Sequence, residues 1–430
     1  MYIESLKVRN VRLLAEQEFS FRNPDGTPRL WTVIVGENGL CKSTILQLIA
    51  LATMGPKLGS VLVPNAQRLR NLNSHDAASF TAKFDSVGEF IPSSLVSSLS
   101  IEADRFDLTA GEPSSGASLL DDLRAKRIPE GFVAGYGVGR FLTEPGETAL
   151  PDDPVVDRVR GLFSPQHKML GINFYSAFHS ESSRSLGFLR SLNEALSIGG
   201  EPDERLLPGF LGIDLKGRRK SRGSPGISEP SQFDLQIKDR ALRLPATWLS
   251  DGYQAMLSWI ADLLGHALLA HEEGLDPRNL EGIVLLDEID LHLHPTWQRR
   301  IVPLLRKIFP HLQFIVTTHS PLVLTGFERD EIILLKLREG EVVQDPAEIQ
   351  PGVLTASEIL TNFFGVQRAG RPELVRKERR YLELKATTRL SSDEQDELQR
   401  LDHELQPYLE AFSSTAMEMR SPEEILKRKV

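Results

Sequence analysis

A short glycine-rich stretch at residues 35–44, VGENGLCKST, has the residue types and spacing of a phosphate-binding loop. In such a loop, successive backbone N–H groups and the N-terminus of the next helix form an anion nest. Lys42 would reach the β- and γ-phosphates of a nucleotide, and the Ser43 hydroxyl would be a ligand of Mg²⁺. Cys41 replaces a glycine of the pattern and adds a side chain where the backbone approaches phosphate. The candidate nucleotide-binding residues are Gly36, Asn38, Gly39, Cys41, Lys42, Ser43 and Thr44.

Two acidic residues, Asp287 and Glu288, directly follow an apolar run at 283–286. Acids at the carboxyl end of a buried strand lie beside the phosphate loop in open α/β sheets. Asp287 would hold Mg²⁺, directly or through water, whereas Glu288 points in a different direction and can orient an attacking water. The alternative is an ordinary strand end with a charged cap, which fits two acids after four apolar residues poorly. The same pattern argues against a chance glycine turn at the loop.

His319 ends the next apolar strand, in the sequence LQFIVTTHSP at 312–321, where a side chain could sense a γ-phosphate. A lone histidine is more often structural, but its place directly after a buried strand favours the site. His319 joins Glu288 as a candidate catalytic residue. His292 and His294 form an H-x-H pair, which we interpret as a loop at a subunit contact because no third metal ligand accompanies them.

The segment LSDGYQ at 249–254 precedes an apolar helical pattern at 255–270. Taken alone, Ser250, Asp251 and Gly252 are typical of the N-cap region of a helix. That interpretation would be preferred if the other three motifs were absent. Together with the other three motifs, however, the segment resembles the LSGGQ signature of ABC-type ATPases.

The periodicity of the surrounding sequence predicts the elements that position these residues. Residues 2–8 and 15–21 alternate apolar and polar positions around turn-prone residues, as in a hairpin. Residues 30–35 form a continuous β-prone run, and residues 43–54 form a helical pattern that we expect to end at Gly55-Pro56. Strand, glycine loop and helix therefore follow one another in the order that a phosphate loop requires.

The rest of the chain divides into four predicted regions. They are a phosphate-loop lobe with an antiparallel sub-sheet at 1–150, a mostly helical lobe at 151–270, the acidic-strand and histidine part of the core at 271–350, and a C-terminal helical extension at 351–430. Within them we expect antiparallel strands at 80–87 and 98–106, a strand entering a glycine turn at 131–140 and a helix at 296–309. We also expect a strand in 312–321, a hairpin at 331–343 and a helix pair in 372–411.

Composition narrows the class of protein. A chain of 430 residues with 40% hydrophobic and 25% charged residues is typical of a globular protein of roughly two or three domains. The single cysteine excludes an internal disulfide framework and fits a reducing cytoplasm. No apolar run approaches the roughly 20 residues that span a bilayer, and the first residues lack a signal-peptide core, so we expect a cytoplasmic protein without a membrane partner.

The order of the motifs resembles that of ABC-type ATPases. The N-terminal hairpin, GENGLCKST, LSDGYQ, VLLDEIDLHLHP and VTTHSP follow one another as in the heads of SMC and RecF proteins, over about residues 1–345. The resemblance implies an α/β fold: an ABC-type P-loop ATPase head with a mixed central sheet, an antiparallel sub-sheet, a helical lobe and a C-terminal helical extension. The turn GYGVGR, DEIDLHLHP and the helical tail are similar to those of ATPase subunits of Septu anti-phage defence systems, which work with an HNH nuclease (PtuB-like).

This resemblance implies a mechanism. Two heads face each other and sandwich two molecules of ATP with Mg²⁺, so the expected assembly is a homodimer or a higher oligomer. Ser250 and Gly252 of one subunit would cap the γ-phosphate bound by the other. The expected metal ligands are Ser43 and Asp287. In a defence system such an ATPase would regulate or position an effector nuclease.

Three departures from the family pattern point to a nucleotide-gated switch with slow turnover more than to a fast motor. Cys41 replaces a glycine of the loop, and Asp251 replaces a glycine of the signature, where it adds negative charge. The Q-loop glutamine of the superfamily is not evident after the 131–135 strand, and residues 136–140 occupy its place. Arg140 could therefore contact phosphate or the neighbouring head.

Two other functions remain open at this point. The first is a DNA-repair ATPase of the SMC or RecF type acting directly on DNA, although residues 44–249 hold no sustained heptads. The second is a nucleotide sensor without turnover. A net charge of −9 argues against whole-surface attraction to DNA, so DNA contact would need a local patch such as the basic loop at 216–222, KGRRKSR. A solvated loop is an equal interpretation of that stretch.

Overall fold

The computed structural model describes residues 1–71, 74, 76–85, 95–102, 107–111, 131–140, 153–169, 183–199, 201, 204–214, 232–237, 240–270, 276–366, 372–386 and 391–417. The basic loop at 216–222 lies outside the described residues. The chain divides into two units, Met1–Ile359 and Leu360–Val430. The sequence placed the start of the helical extension nine residues earlier, at 351, and the finer division of the first part stays a prediction.

The chain opens with an antiparallel sheet. Among the described residues its strands run in the order β2-β1-β4-β5-β6. The hairpin of β1 and β2 confirms the alternation seen in the sequence, with Leu6 opposite Phe19 on the buried face. The bounds are β1 Ile3–Val11, β2 Leu14–Ser20, β4 Ala78–Phe84, β5 Leu95–Ile101 and β6 Thr109–Ala110.

The second sheet is mixed and forms the centre of the first unit. Its described strands are β3 Trp31–Val35, β7 Val133–Tyr136, β11 Gly282–Leu286, β12 Leu312–Thr317, β13 Ile332–Arg338 and β14 Glu341–Asp345. They lie in the order β14-β13-β3-β12-β11-β7, and all neighbours are parallel except the β13–β14 hairpin. Strands β3, β11 and β12 are buried along their whole length, as their continuous apolar sequences predict.

Helix α1, Lys42–Leu62, packs against both sheets. The helix begins where the sequence predicts but does not end at Gly55-Pro56. It kinks there, with Gly55 at φ 73°, and continues to Leu62 because proline removes one backbone hydrogen bond without ending the apolar pattern. The expectation of no membrane-length apolar segment was also too strong. By length and composition α1 could cross a membrane, with a mean hydropathy of 1.5, yet 67% of that window is buried inside the fold.

The described residues of the predicted 151–270 lobe contain strands as well as helices. The lobe contains α2 Pro154–Arg160, α3 Ser183–Ser197 and α4 Asp251–Ala270. Between α3 and α4 the described residues form an antiparallel sheet in the order β10-β9-β8, which the sequence analysis missed. Its strands are β8 Phe210–Asp214, β9 Gln232–Ile237 and β10 Arg240–Pro245.

Short helices connect the last strands of the central sheet. They are α5 Pro295–Gln298, α6 Ile301–Ile308 and α7 Pro321–Leu324, so the helix expected at 296–309 is interrupted at Arg299-Arg300. Helix α8, Ala356–Phe364, follows the β13–β14 hairpin. The expected hairpin near 331–343 is confirmed, with Leu335 paired to Gln344.

The second unit contains the helix pair that the sequence predicts. Helices α9, Pro372–Ala386, and α10, Ser392–Met417, pack through Tyr381, Leu384, Leu401 and Leu405. Arg380 donates to both carboxylate oxygens of Glu397, and the Tyr381 hydroxyl donates to Asp402. The Arg380–Glu397 ion pair is largely exposed and adds little stability, so the small apolar seam is the main contact between the two helices.

Candidate nucleotide-binding site

The candidate residues converge because the carboxyl ends of parallel strands meet at one edge of the central sheet. The loop 36–41 leaves β3, Asp287 leaves β11, and Thr318 leaves β12, which lies between these two strands. Val33 pairs with Val316, and Leu286 also pairs with Val316, which aligns the three strand ends. The sequence motifs at 35–44, 287–288 and 317–319 are thereby brought together.

The phosphate loop turns into α1 at Cys41. Cys41 has φ 62° and ψ 17°, the left-handed conformation that glycine normally supplies. Its thiol is 8% exposed and belongs to the hydrophobic core next to α1. The Cys41 side chain is therefore a buried member of the core, next to a backbone that keeps the conformation of the glycine it replaces.

Lys42 bends its ammonium group back over the loop. The Nζ atom donates to the Gly36 carbonyl at 2.9 Å and to the Glu37 carbonyl at 2.8 Å. Burial lowers the pKa of Lys42, against the attraction of Asp287 and Glu288, which raise it. The loop carbonyls thus hold the ammonium over the loop, close to two acids, in a position to bind an anionic ligand.

A hydroxyl–carboxylate network joins the three strand ends. The Ser43 hydroxyl donates to Asp287 Oδ2 at 2.6 Å, and the Thr317 hydroxyl donates to Asp287 Oδ1 at 2.6 Å. Hydroxyl and carboxylate oxygens are the ligands that Mg²⁺ prefers, so Ser43 and Asp287 fit the expected metal. Thr317 was not among the expected site residues, although its hydroxyl after a buried strand was a usable signal.

Glu288 has an unusual backbone, with φ 50°. Its N–H donates to the Thr317 hydroxyl at 2.7 Å. Its carbonyl accepts from Arg140 Nη2, which also donates to the Asp287 carbonyl at 3.0 Å. Burial lowers the pKa of Arg140 to about 10, while Asp287, Asp290 and Glu288 act to raise it, so the guanidinium stays charged at neutral pH.

The location of Arg140 differs from what the sequence suggested. The side chain is 3% exposed, and a contact with a neighbouring head would need an exposed group. Its Nη2 atom points to backbone carbonyls of the same chain. The partner contact is therefore disfavoured, and a phosphate contact stays a prediction.

His319 lies beside Asp290, the third acid of the DEID sequence. Asp290 Oδ1 accepts from the Thr318 hydroxyl at 2.5 Å and from the His319 N–H at 3.3 Å. Burial, followed by the Lys42 charge, lowers the pKa of His319, against Glu288, Asp290 and Asp287. The imidazole is consequently neutral at pH 7 and near Lys42. Asp290 was missed by the sequence analysis, where its position within DEID was the available signal.

The LSDGYQ segment begins α4, with Asp251 as the first helical residue. Gly252 packs against the 292–297 segment: a Cβ there would lie 2.6 Å from the His292 carbonyl oxygen. Tyr253 makes an edge contact with Trp297, with ring centroids 4.6 Å apart. The signature is thereby fixed to the loop that follows Glu288, and Ser250 is exposed. Its contact with a second subunit stays a prediction.

Arg12 and His294 are two further polar residues with defined contacts. Arg12, in the exposed β1–β2 turn, donates from Nη1 to the Thr44 hydroxyl at 2.7 Å, so it places a cation beside the first turn of α1. Apart from the hairpin itself, no feature of the sequence indicates this contact. His294 caps α5 and lies 2.9 Å from the Thr296 hydroxyl, and no metal-binding group of three ligands occurs among the described residues.

The fold and the site together define a P-loop ATPase head of the ABC type. Residues 31–325 match the family model described as "AAA domain, putative AbiEii toxin, Type IV TA system". The chain belongs to this AAA-domain family, since the match covers more than half of its length. A solved SMC head, bound to the C-winged helix domain of ScpA, has a TM-score of 0.51 at 18% identity and covers 81% of this chain and 98% of that one. At that identity the likeness shows the fold alone, and it confirms the predicted fold class.

Two curated relatives are similar to this chain. Septu protein PtuA of Bacillus mycoides (strain KBAB4) is 27% identical over 422 residues, covering 97% of this chain and 52% of the relative. The Retron Ec83 probable ATPase of Escherichia coli is 36% identical over 160 residues, covering 37% of this chain and 26% of the relative. The chain thus spans about half the length of the first relative and about a quarter of the second. The match to a Septu protein confirms the resemblance that the motifs and the helical tail indicate.

Proposed function

We propose that this chain binds ATP with Mg²⁺ and hydrolyses it slowly. The observation that carries the proposal is the network of Ser43, Asp287 and Thr317, with Lys42 held over the same loop. This arrangement joins a phosphate-binding cation to an oxygen-rich metal site at one edge of a parallel sheet. The AAA-domain family supports nucleotide binding, and the choice of ATP as substrate is the proposal.

The chain's own residues would divide the work of phosphoryl transfer. The backbone N–H groups of 36–41 and the start of α1 would bind the phosphates, and Lys42 would contact the β- and γ-phosphates. Ser43 and Asp287 would hold Mg²⁺, which supplies charge neutralisation at the phosphates. Glu288 would orient the attacking water and accept its proton, and neutral His319 would hydrogen-bond near the γ-phosphate.

The complete site requires two copies of the chain. Ser250 and Gly252 of one copy would close over the nucleotide bound by the other, so ATP would hold the pair together. The packing of Gly252 against the 292–297 segment supports this role indirectly, since it holds the exposed Ser250 in a fixed place and a fixed residue loses little entropy on docking. Asp251 adds negative charge at this contact, which favours slow turnover.

At the level of the cell, we propose a part in anti-phage defence within the cytoplasm. The similar relatives are named as a Septu protein and a retron probable ATPase. An ATP-dependent pair of heads would then regulate or position an effector nuclease of the HNH class. Direct contact with DNA through 216–222 would be an accessory function at most, because the chain carries a net charge of −9.

Substitution of Lys42 and Glu288 tests the proposed reaction. Lys42→Ala should weaken ATP binding by a factor of about 100 or more, because it removes a buried cation aimed at phosphate. Glu288→Gln should leave ATP binding intact and lower turnover by a factor of about 100 or more. Equilibrium binding of radiolabelled ATP and release of labelled phosphate measure the two effects separately.

The matched controls are Lys57→Ala and Glu281→Gln, exposed residues on the same helix and directly before the same strand. Both should behave as the parent protein. Equal phosphate release by Glu288→Gln and the parent would contradict catalysis by Glu288. Tight ATP binding by a parent protein that releases no phosphate would favour the sensor without turnover.

A further inference from the structure

The chain that follows β7 takes a path fixed by close backbone contacts. A Cβ at Gly137 would lie 2.2 Å from the Gly161 carbonyl oxygen, and a Cβ at Gly139 would lie 2.0 Å from the Pro165 carbonyl oxygen. Only glycine allows the two backbones to approach so closely. The spacing G-x-G in GYGVGR therefore has a packing cause, and it delivers Arg140 to a fixed position.

That position is beside the turn after β11. Strand β7 pairs in parallel with β11, with Tyr136 opposite Leu286, and the Asp287 N–H donates to the Tyr136 carbonyl at 2.8 Å. Arg140, four residues further on, is 3% exposed and donates from Nη2 to the carbonyls of Asp287 and Glu288. One guanidinium nitrogen thus binds two consecutive peptide groups of the acidic motif.

The same turn is held from the opposite side by β12. The Glu288 N–H donates to the Thr317 hydroxyl, and the next N–H, of Ile289, donates to the Thr317 carbonyl at 2.9 Å. Glu288 has φ 50°, a conformation that residues with a side chain avoid. Such a conformation persists only where the surroundings over-determine it, and here Arg140 and Thr317 supply the two constraints.

We propose that Arg140 is a positioning residue for Glu288: it holds the carbonyls of the acidic turn so that the Glu288 carboxylate keeps the direction needed to orient water. This inference rests on the proposed ATP hydrolysis and deepens it, since it assigns to Arg140 a role through Glu288 instead of a contact with phosphate or with a second subunit. The Gly137–Gly139 contacts with the 161–165 segment fix where the arginine reaches the turn.

This role of Arg140 differs from general stabilisation of the fold. A buried guanidinium could simply satisfy unpaired carbonyls, and any buried polar group near β7 would then serve equally. Both of its acceptors, however, belong to the two residues that carry the proposed metal and water chemistry. Loss of the arginine should therefore affect the chemical step more than nucleotide binding.

The test compares Arg140→Met with the parent protein and with Arg158→Met. Arg158 is a control cation on α2, over the Phe132 ring at 5.2 Å, and it has no place in the proposed chemistry. Arg140→Met should lower kcat by about 100-fold, because small misplacement of a catalytic group has effects of that size. Its affinity for ATP should stay within about twofold of the parent value. Arg140→Lys, which keeps one charged donor, should recover part of the lost rate.

A double-mutant comparison with Glu288→Gln gives the decisive readout. If Arg140 acts through Glu288, adding Arg140→Met to Glu288→Gln should change the residual single-turnover rate by less than about twofold. An equal further loss in the double variant would overturn the inference, as would a fall in ATP affinity that matches the fall in kcat. Should Arg140→Met fail to fold, Arg140→Lys is judged by the same criteria. A parent protein without turnover would instead overturn the proposed hydrolysis, and the inference with it.

Discussion

At the scale of single residues, Cys41 shows how a departure from a motif is accommodated. The pattern requires a left-handed residue before Lys42, and Cys41 adopts that conformation with φ 62°. Its thiol is buried among apolar side chains next to α1. A left-handed L-residue costs roughly 1–2 kcal/mol, and burial of the side chain offsets part of that cost. The Cys41 thiol therefore packs in the core, while the Cys41 backbone still forms part of the phosphate loop.

Two substitutions of Cys41 test this balance. Cys41→Gly should change the free energy of unfolding by no more than about 1 kcal/mol, because relief of the left-handed strain offsets the lost packing. Cys41→Val should lower it by about 2 kcal/mol or more, because a β-branched residue is strained at positive φ. Urea unfolding followed by tryptophan fluorescence measures both. Equal stability of the two variants would contradict the assigned conformation.

Much of the candidate site could be predicted from residue types alone. Lys42, Ser43, Asp287 and Glu288 stand at fixed offsets from apolar strands, and parallel strands align their carboxyl ends. Arg140 could not be placed in this way. An arginine after a glycine turn can point to solvent, to a ligand or to a carbonyl, and only the path of the chain past 161–165 decides among them.

At the scale of elements, hydrogen bonds of Gln313 link the antiparallel sheet to the central sheet. Gln313 is fully buried in β12, and its Oε1 accepts from the Ile3 N–H at 2.7 Å. Its Nε2 donates to the Ile3 carbonyl and to the Arg29 carbonyl, both at 3.0 Å. One amide thus satisfies both backbone groups of Ile3, where β1 begins, and the carbonyl of Arg29. This polar residue fixes the position of the N-terminal hairpin, and hence of Arg12, relative to the phosphate loop.

Gln313→Leu should lower the free energy of unfolding by about 3 kcal/mol, because buried backbone groups would lose their partners at about 1–3 kcal/mol each. The control is Gln344→Leu, since Gln344 is an exposed glutamine that donates to the Glu18 carbonyl at 2.8 Å. That change should alter stability by less than about 0.5 kcal/mol. Chemical denaturation compares the pair, and similar losses in both would contradict the role of Gln313.

The local sequence pattern predicts some elements of the fold and misses others. Strands buried on both faces, such as β3, β11 and β12, were predicted by continuous apolar runs. The pairing of β8 with β9 was missed because it spans residues 215–231, and local periodicity does not encode which segments meet. The hairpin of β9 and β10, with Ile237 opposite Arg240, is local and was overlooked. The continuation of α1 past Gly55 was missed because core packing overrides the helix-ending tendency of Gly-Pro.

At the scale of the whole molecule, the proposed function depends on association of two copies of the chain. The first unit carries the phosphate loop, the acidic turn and the signature, and the second carries a helix pair with its own small core. A ligand that binds the pair more tightly than it binds separate copies stabilises the pair by that difference in binding free energy. Nucleotide hydrolysis would then release the pair, which is how a slow ATPase could act as a timed switch for a nuclease.

The most direct test measures molar mass with and without nucleotide. Glu288→Gln should accumulate with intact ATP bound, so light scattering after size exclusion in Mg²⁺ and ATP should give twice the 48.0 kDa of one chain, or a larger multiple. The same variant with ADP, and Lys42→Ala with ATP, should both give the lower mass of the nucleotide-free protein. An identical mass under all three conditions, with ATP binding shown separately, would contradict the claim that two copies close around the nucleotide.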